Sequence, residues 1–369
     1  MILRKNMGDT TVVWLKNSNQ YLVVEALVAD LLEELQAGIK TTTLAQKLTK
    51  ITEAPLTETT EFITELETLL NSSSTRTDEA LTHDIPKQFD NTVFYQINDL
   101  VLKVDFESEY ELALIHPKFA HLEITPPKEV HHSYQVFSSD SHLFFYRNQQ
   151  SVGSWTKKNS HYFQGKFSMK LIEDTHQFPE NEWMGIFHAS AVSNGKESIL
   201  FLGDSGNGKS TSLALLQAHG FQCLADDFVP ILAKNHQVYS FPSAISIKRN
   251  SVPVLRSLYP TLENKAEFHF PKVNKIVRYL PPNNDNYKQN RPCHTLVFIK
   301  YTPDELCKLT AITKQEALQQ LVPDSWLCPE KSNAQEFLNW FEKLSCYQLH
   351  YSNNEQMIAK VQKLFNHDL

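Results

Sequence analysis

The chain has 369 residues, of which 41% are hydrophobic, 11% aromatic and 21% charged. That ordinary globular balance excludes wholesale disorder and collagen-like repeats. The formal net charge of −7 is the opposite of the basic excess that marks a general nucleic-acid binder. At roughly 150 residues per domain the length predicts two or three domains. The acidity is uneven: residues 1–88 hold 8 Lys and Arg against 13 Asp and Glu, a net of −5, leaving −2 for all the rest. Five cysteines, Cys223, Cys293, Cys307, Cys328 and Cys346, form no C-x-x-C pair and read as reduced thiols. The most apolar stretches (21–35, 199–202 and 294–299) fall short of the ~20 apolar residues of a membrane span. No apolar signal core follows Arg4 and Lys5, so a cytoplasmic protein with no membrane or nucleic-acid partner is expected.

Residues 7–72 read as a small separate module. Thr11 to Leu15 and Gln20 to Val24 alternate as strands around an Asn17-Ser18-Asn19 turn, which predicts a hairpin. Leu27, Leu31, Leu32 and Leu35 then fall on one helical stripe, and Gly38 ends that helix. Thr41-Thr42-Thr43 can cap a short second helix with Leu44 and Leu48 inward. A third helix begins near Thr57, with Phe62, Ile63, Leu66 and Leu69 as its apolar face. This order of hairpin, helix, short helix and helix, with the Gly-Ile-Lys-Thr-Thr-Thr junction, resembles the PqqD family. The resemblance implies a winged-helix module that binds the leader segment of a peptide destined for modification.

Residues 73–92, with Asn71-Ser72-Ser73-Ser74-Thr75 at the front and Pro86 within, read as a linker. Residues 93–180 are strand-rich, with Val93 to Ile97, Leu100 to Val104 and His142 to Tyr146 as candidates. No chemistry is evident there. Adjacent His131 and His132 would face opposite ways on a strand, so they are not read as a metal pair.

The chemistry concentrates in residues 186–231. Ser198 to Leu202 is a short apolar run that predicts a buried strand. Gly203-Asp204-Ser205-Gly206-Asn207-Gly208-Lys209-Ser210 follows at once and matches G-x-x-x-x-G-K-[ST]. Glycine numbers only 10 in the chain, and three lie in this octet, so a chance match is improbable. A helix holding Leu213, Leu215 and Leu216 comes next, with Gly220 past its end. The glycines free backbone N–H groups to face phosphate oxygens, and the helix N-terminus adds the positive end of its dipole. Residues Gly203, Asp204, Ser205, Gly206, Asn207, Gly208, Lys209, Ser210 and Thr211 are therefore expected to bind ATP. Lys209 would reach the β- and γ-phosphates and the Ser210 hydroxyl would ligate Mg²⁺.

A second strand, Phe221 to Ala225, ends in Asp226-Asp227. Two carboxylates at a strand end beside a phosphate loop suit a metal ligand and a general base; which is which stays open, with Asp227 taken beside Ser210 as a metal residue. Only about fifteen residues separate Lys209 from the pair, and a hairpin follows in Val229 to Leu232 and Val238 to Phe241. So early an antiparallel hairpin does not suit a Ras-like or doubly wound NTPase.

This stretch resembles the HPr kinase/phosphorylase family, which is related to phosphoenolpyruvate carboxykinases. The resemblance runs through Phe187-His188-Ala189-Ser190-Ala191-Val192, the octet, and Leu224-Ala225-Asp226-Asp227. It continues more weakly through Phe241 to Lys248 and Val277 to Pro282. It implies an α+β or α/β fold with a mixed sheet, and phosphoryl transfer from ATP to a serine hydroxyl on a protein. It further implies that His188 lies near the transferred phosphate, that Lys209, Asp226 and Asp227 are catalytic, and that a late basic residue, Arg278, joins them. Ser246 and Lys248 stand where the family carries a signature Glu and Arg. That departure, and the PqqD-like front, put HPr itself and the reverse phosphorylase reaction in doubt.

The kinase domain is expected over 93–369, with a strand-rich front (93–180), a nucleotide-binding core (181–282) and a C-terminal part (283–369). The last holds a strand at Thr295 to Ile299 and helices over 314–321 (capped by Thr313), 334–344 and 355–365, with a surface loop at 283–290. Together the two resemblances imply an ATP- and Mg²⁺-dependent kinase for a Ser or Thr of a ribosomal natural-product precursor peptide, its leader bound by residues 7–72. A kinase of a small HPr-like carrier protein and a non-catalytic nucleotide sensor are the alternatives. Self-association is left open.

Overall fold

The computed structural model describes residues 1–8, 10–73, 81–270 and 274–368. The protein is a mixed α+β fold with several sheets. It divides into two compact units, one of residues 1–77 with 313–343 and the other of 78–312 with 344–369. Part of the expected linker, 74–80, lies outside the described residues.

The first unit opens with a three-stranded antiparallel sheet, Ile2–Met7, Thr10–Leu15 and Gln20–Val24 in that order. The last two form the expected hairpin. The strand Ile2–Met7 gives no alternating signal in the sequence: Ile2 to Lys5 are all half-buried, Asn6 is exposed and only Met7 is buried. Helices Ala26–Gln36, Thr41–Thr52 and Leu56–Asn71 follow. Leu31, Leu32, Leu44, Leu48, Ile63 and Leu66 close over Val13 and Leu15 as one apolar core. Gly38 takes φ +86° after the first helix, a conformation that favours glycine. Two details differ from expectation. Thr41 to Thr43 form the first turn of their helix, which starts after Lys40 without a side-chain cap. Phe62 is exposed, because the helix turns Ile63 and Leu66 inward instead.

Residues 313–343, expected with the C-terminal part, belong to this same unit. The contacts that bind them are specific. Asn19 Nδ2 donates to the Leu327 carbonyl at 2.8 Å, Lys5 pairs with Glu342 at 2.7 Å, and Tyr21 meets Phe337 edge to face with centroids 4.9 Å apart. The helices here are Lys314–Leu321, started by a Thr313/Glu316 capping box, and Lys331–Lys343.

The second unit begins with a six-stranded sheet in the order 123–124, 91–97, 100–106, 132–139, 142–147 and 150–156. Strands Leu100–Phe106 and His132–Ser139 are parallel, joined through the helix Glu109–Phe119. The helix Ser160–His176 packs Phe163 and Phe167 against the rings of Tyr134 and Phe145.

A second, mixed sheet runs Gln222–Asp226, Ser190–Ser193, Ser198–Leu202, Asn290–Tyr301, Gln237–Tyr239, Val229–Leu232 and Trp183–Phe187. Ser198–Leu202 is parallel to Asn290–Tyr301, which is parallel in turn to Ser345–Tyr351. The antiparallel Ser190–Ser193 separates Ser198–Leu202, which leads into the glycine-rich octet, from Gln222–Asp226. Helices Lys209–Ala218 and Asn354–Phe365 contribute Leu213, Leu216 and Val361 to the core under this sheet, with Leu349 from the sheet itself. A three-stranded sheet, in the order Ile245–Lys248, Lys275–Leu280 and Phe268–Phe270, completes the unit. The loop after residue 282 is pinned to the acidic strand: Asn283 Oδ1 accepts the Cys223 N–H at 2.9 Å, and its Nδ2 donates to the Phe221 carbonyl at 2.8 Å.

His176 bonds the Ser240 carbonyl through Nε2 at 2.9 Å and lies edge-on to Trp183 and Tyr239. Burial depresses its pKa from 6.5 to about 4, and burial does the same to His121. The unfolded chain therefore binds more protons between those values, so their contribution is full above pH 6.5 and declines as pH falls toward 4. Urea midpoints should drop from pH 7 to pH 5, and His176→Gln should reduce that drop; an unchanged pH dependence in the variant would contradict this assignment.

Candidate active site

All five residues of Ser198–Leu202 are buried, so the strand delivers the chain rigidly to Gly203. Gly203, Gly206 and Gly208 take φ of +130°, +108° and +99°. Space as well as torsion demands glycine at two of them. A Cβ on Gly203 would lie 2.8 Å from the Ile299 carbonyl oxygen, and one on Gly208 would lie 2.9 Å from the Tyr351 hydroxyl. The loop closes on itself through Asn207 N–H to Asp204 O at 3.1 Å, and its Asn207 carbonyl accepts the Tyr301 N–H at 3.0 Å.

Lys209 is the first residue of the following helix and is buried. Its Nζ curls back to donate to the Gly203 carbonyl, with Asp204 O at 3.4 Å. Lys248 reaches the loop from a different sheet, its Nζ donating to Ser205 Oγ at 3.0 Å. The Thr211 hydroxyl, expected toward the nucleotide, instead donates to Ser251 Oγ at 2.8 Å.

Asp226 ends the acidic strand and is 2% exposed. One carboxylate oxygen accepts from Ser190 Oγ at 2.6 Å and from Ser210 Oγ at 3.1 Å. The other accepts the Ser246 N–H at 3.1 Å. Asp227 follows with φ +69°, rare for a residue with a side chain, and its N–H is held by the Ala189 carbonyl at 2.8 Å. Its carboxylate has different neighbours: His188 Nδ1 at 3.2 Å from one oxygen and Lys118 Nζ at 4.0 Å from the other. Thus Ser210 meets Asp226 and not the Asp227 expected beside it as a metal residue.

The two carboxyls are pushed apart. Burial, with the Asp227 charge next to it, raises Asp226 despite the bonds from Ser190, Ser246 and Ser210. Burial would also raise Asp227, but Lys118, His188, Lys275 and Lys209 outweigh it and hold that carboxyl below its ordinary value. Such a divided pair is how one site supplies two different carboxylate roles.

Arg278 is not brought to this cluster by its hydrogen bonds. Its guanidinium bonds the Lys265 carbonyl at 3.0 Å and pairs with Glu267 at 3.1 Å. The basic groups near the loop and the acidic pair include Lys209, Lys248, Lys118 and Lys275, with His188 beside Asp227. Lys118 had no sequence signal, since it lies in the strand-rich front and reaches Asp227 only through the fold. Ser190 lay in a recognised stretch but carried no assigned role.

The site fits a bound nucleotide and metal on its own chemistry. The loop holds its tight turn only with glycine at 203 and 208, where a Cβ would strike the Ile299 carbonyl oxygen or the Tyr351 hydroxyl. A serine hydroxyl and a buried carboxylate oxygen already converge as hard oxygen donors. Among the described residues no three His, Cys, Asp or Glu side chains gather as a metal cluster; Mg²⁺ commonly keeps several waters and takes only one or two carboxylates with substrate phosphates.

Fold and site together define a mixed α+β protein with a strand–glycine loop–helix unit. No protein-family model matches the chain, and no curated protein matches it. Among the described residues no helix is long and apolar enough to cross a membrane.

Gly203→Ala should destabilise the protein by more than Gly195→Ala. The latter, at φ +91° with open space around it, should cost roughly 1–2 kcal/mol from torsion alone; the former adds a clash with backbone. Urea unfolding of both variants checks the order, and equal costs would contradict the close approach at Gly203.

Proposed function

We propose that the protein is an ATP- and Mg²⁺-dependent kinase that phosphorylates a Ser or Thr hydroxyl of a peptide. The observation that carries this reading is the Ser210–Asp226 contact at the phosphate loop, next to an Asp227 ringed by His188 and lysines. The sequence resemblance to HPr kinases supports the same reading.

When bound, ATP supplies the phosphoryl group and Mg²⁺ offsets the charge on its oxygens. Ser210 and Asp226 would hold the metal. Lys209 would exchange its loop carbonyls for phosphate oxygens, and Lys248 would add charge at Ser205. Asp227, the carboxyl kept ionised, accepts the proton of the attacking hydroxyl, and His188 orients it. Lys118 stands at the far oxygen of Asp227, where it favours the ionised form. Arg278 is left with a structural part, bridging Glu267 and Lys265.

The peptide substrate follows from the front unit, whose hairpin and helices resemble a PqqD module. Gln20–Val24 is an outer strand of its sheet, and an extended leader could add to such an edge.

Incubation with ATP, Mg²⁺ and a precursor peptide should add one phosphoryl mass to the peptide. Lys209→Ala should abolish the gain in a variant that circular dichroism shows to be folded; retained transfer would refute the role of the loop. With the intact protein, a peptide stripped of its leader should show a raised KM at similar kcat. An unchanged KM would remove the front unit from substrate recognition.

Asp227→Asn should lower kcat by 10²-fold or more, the usual contribution of a positioned base. Lys118→Ala should lower it less. If Asp227→Asn keeps full activity, the base lies elsewhere.

A further inference from the structure

The phosphate loop is flanked on one side by the acidic pair and on the other by the ends of two strands parallel to its own. Asn290–Tyr301 ends in Tyr301, Ser345–Tyr351 ends in Tyr351, and these two residues are partners in the parallel register. Ligands of α/β sheets bind beyond the carboxyl ends of such strands. In the reading above the acidic side takes the metal and the acceptor hydroxyl, which leaves the tyrosine side for the rest of the donor.

The two rings differ in a telling way. Tyr351 is 1% exposed. It lies under the first turn of the loop's helix, its hydroxyl 2.8 Å from Ser212 Oγ and 2.9 Å from the point where a Gly208 Cβ would stand. Tyr301 is 46% exposed, although an aromatic ring of that size ordinarily gains by burial.

A lone exposed ring needs no explanation, but this one is fixed against the loop. Its N–H is bonded to Asn207 O at 3.0 Å, its Cβ is 3.5 Å from the Gly208 Cβ position, and Tyr351 braces it edge to face at 76°, centroids 5.4 Å apart. A ring so held loses little freedom when a flat ligand stacks on it.

We propose that Tyr301 is the stacking platform for the nucleobase of the nucleotide held by residues 203–210, with Tyr351 as the residue that positions it. This rests on the reading of that loop as a nucleotide site. Stacking on an aromatic face contributes about 1–3 kcal/mol and tolerates every base, so the platform grips the base without selecting among purines.

Calorimetric titration of ADP and of pyrophosphate separates the two claims, because pyrophosphate has no base. Tyr301→Ala should weaken ADP binding about 5- to 150-fold, the range that stacking energy implies, and leave pyrophosphate binding unchanged. Tyr301→Trp should keep ADP affinity and add a fluorescence change on ADP that pyrophosphate does not produce. Unaltered ADP affinity in Tyr301→Ala, with pyrophosphate still bound, would overturn the platform and leave the loop reading intact. Failure of the native protein to bind either ligand, or indifference of both to Lys209→Ala, would overturn the loop reading and the platform with it.

Discussion

The site is organised around one buried carboxylate. Asp226 ends a strand in the interior and takes hydrogen bonds from Ser190 on the neighbouring strand, Ser210 in the first turn of the loop's helix, and the Ser246 backbone on a separate small sheet. Its own carbonyl accepts a fourth, from Ser243. A buried acceptor of this kind is costly unless it is satisfied, and here the donors that satisfy it come from three elements. The geometry of the loop, the acidic strand and the segment carrying Lys248 is thereby coupled through a single side chain.

The adjacent residue is built for the opposite condition. Asp227 adopts a left-handed backbone turn, so its carboxylate leaves the serine cage and meets His188 and Lys118. Two neighbouring carboxylates in one environment would raise each other. Here one is held by neutral donors in the interior and the other by cations at the edge. The strained torsion is what divides them, a pattern often found where chemistry is done.

The local parts of this site could be read in the sequence. The octet 203–210, the apolar run before it and the helix after it are contiguous, and the acidic pair ends the next strand. The helices of the front unit and of 314–321, 334–344 and 355–365 were legible from periodicity and from the Thr313 cap, whereas Glu109–Phe119 and Ser160–His176 lie in the stretch read as strands. What could not be read was long-range. Lys118 reaches Asp227 from a helix over a different sheet. Residues 313–343 join the front unit through Asn19, Tyr21 and Lys5, whose partners lie about 300 residues away. Arg278 was assigned by resemblance, but Glu267, some ten residues upstream, occupies its guanidinium. The strand Ile2–Met7 had too little alternation to announce itself.

The central claim is that Ser210 and Asp226 form the metal side of a nucleotide site. The most direct measurement is ATP affinity with and without Mg²⁺, for the native protein and for Asp226→Asn. The account requires that Mg²⁺ strengthen ATP binding to the native protein and do so much less in the variant, with metal-free affinity similar in both. An affinity indifferent to Mg²⁺ in the native protein, or a full Mg²⁺ effect in Asp226→Asn, would contradict it.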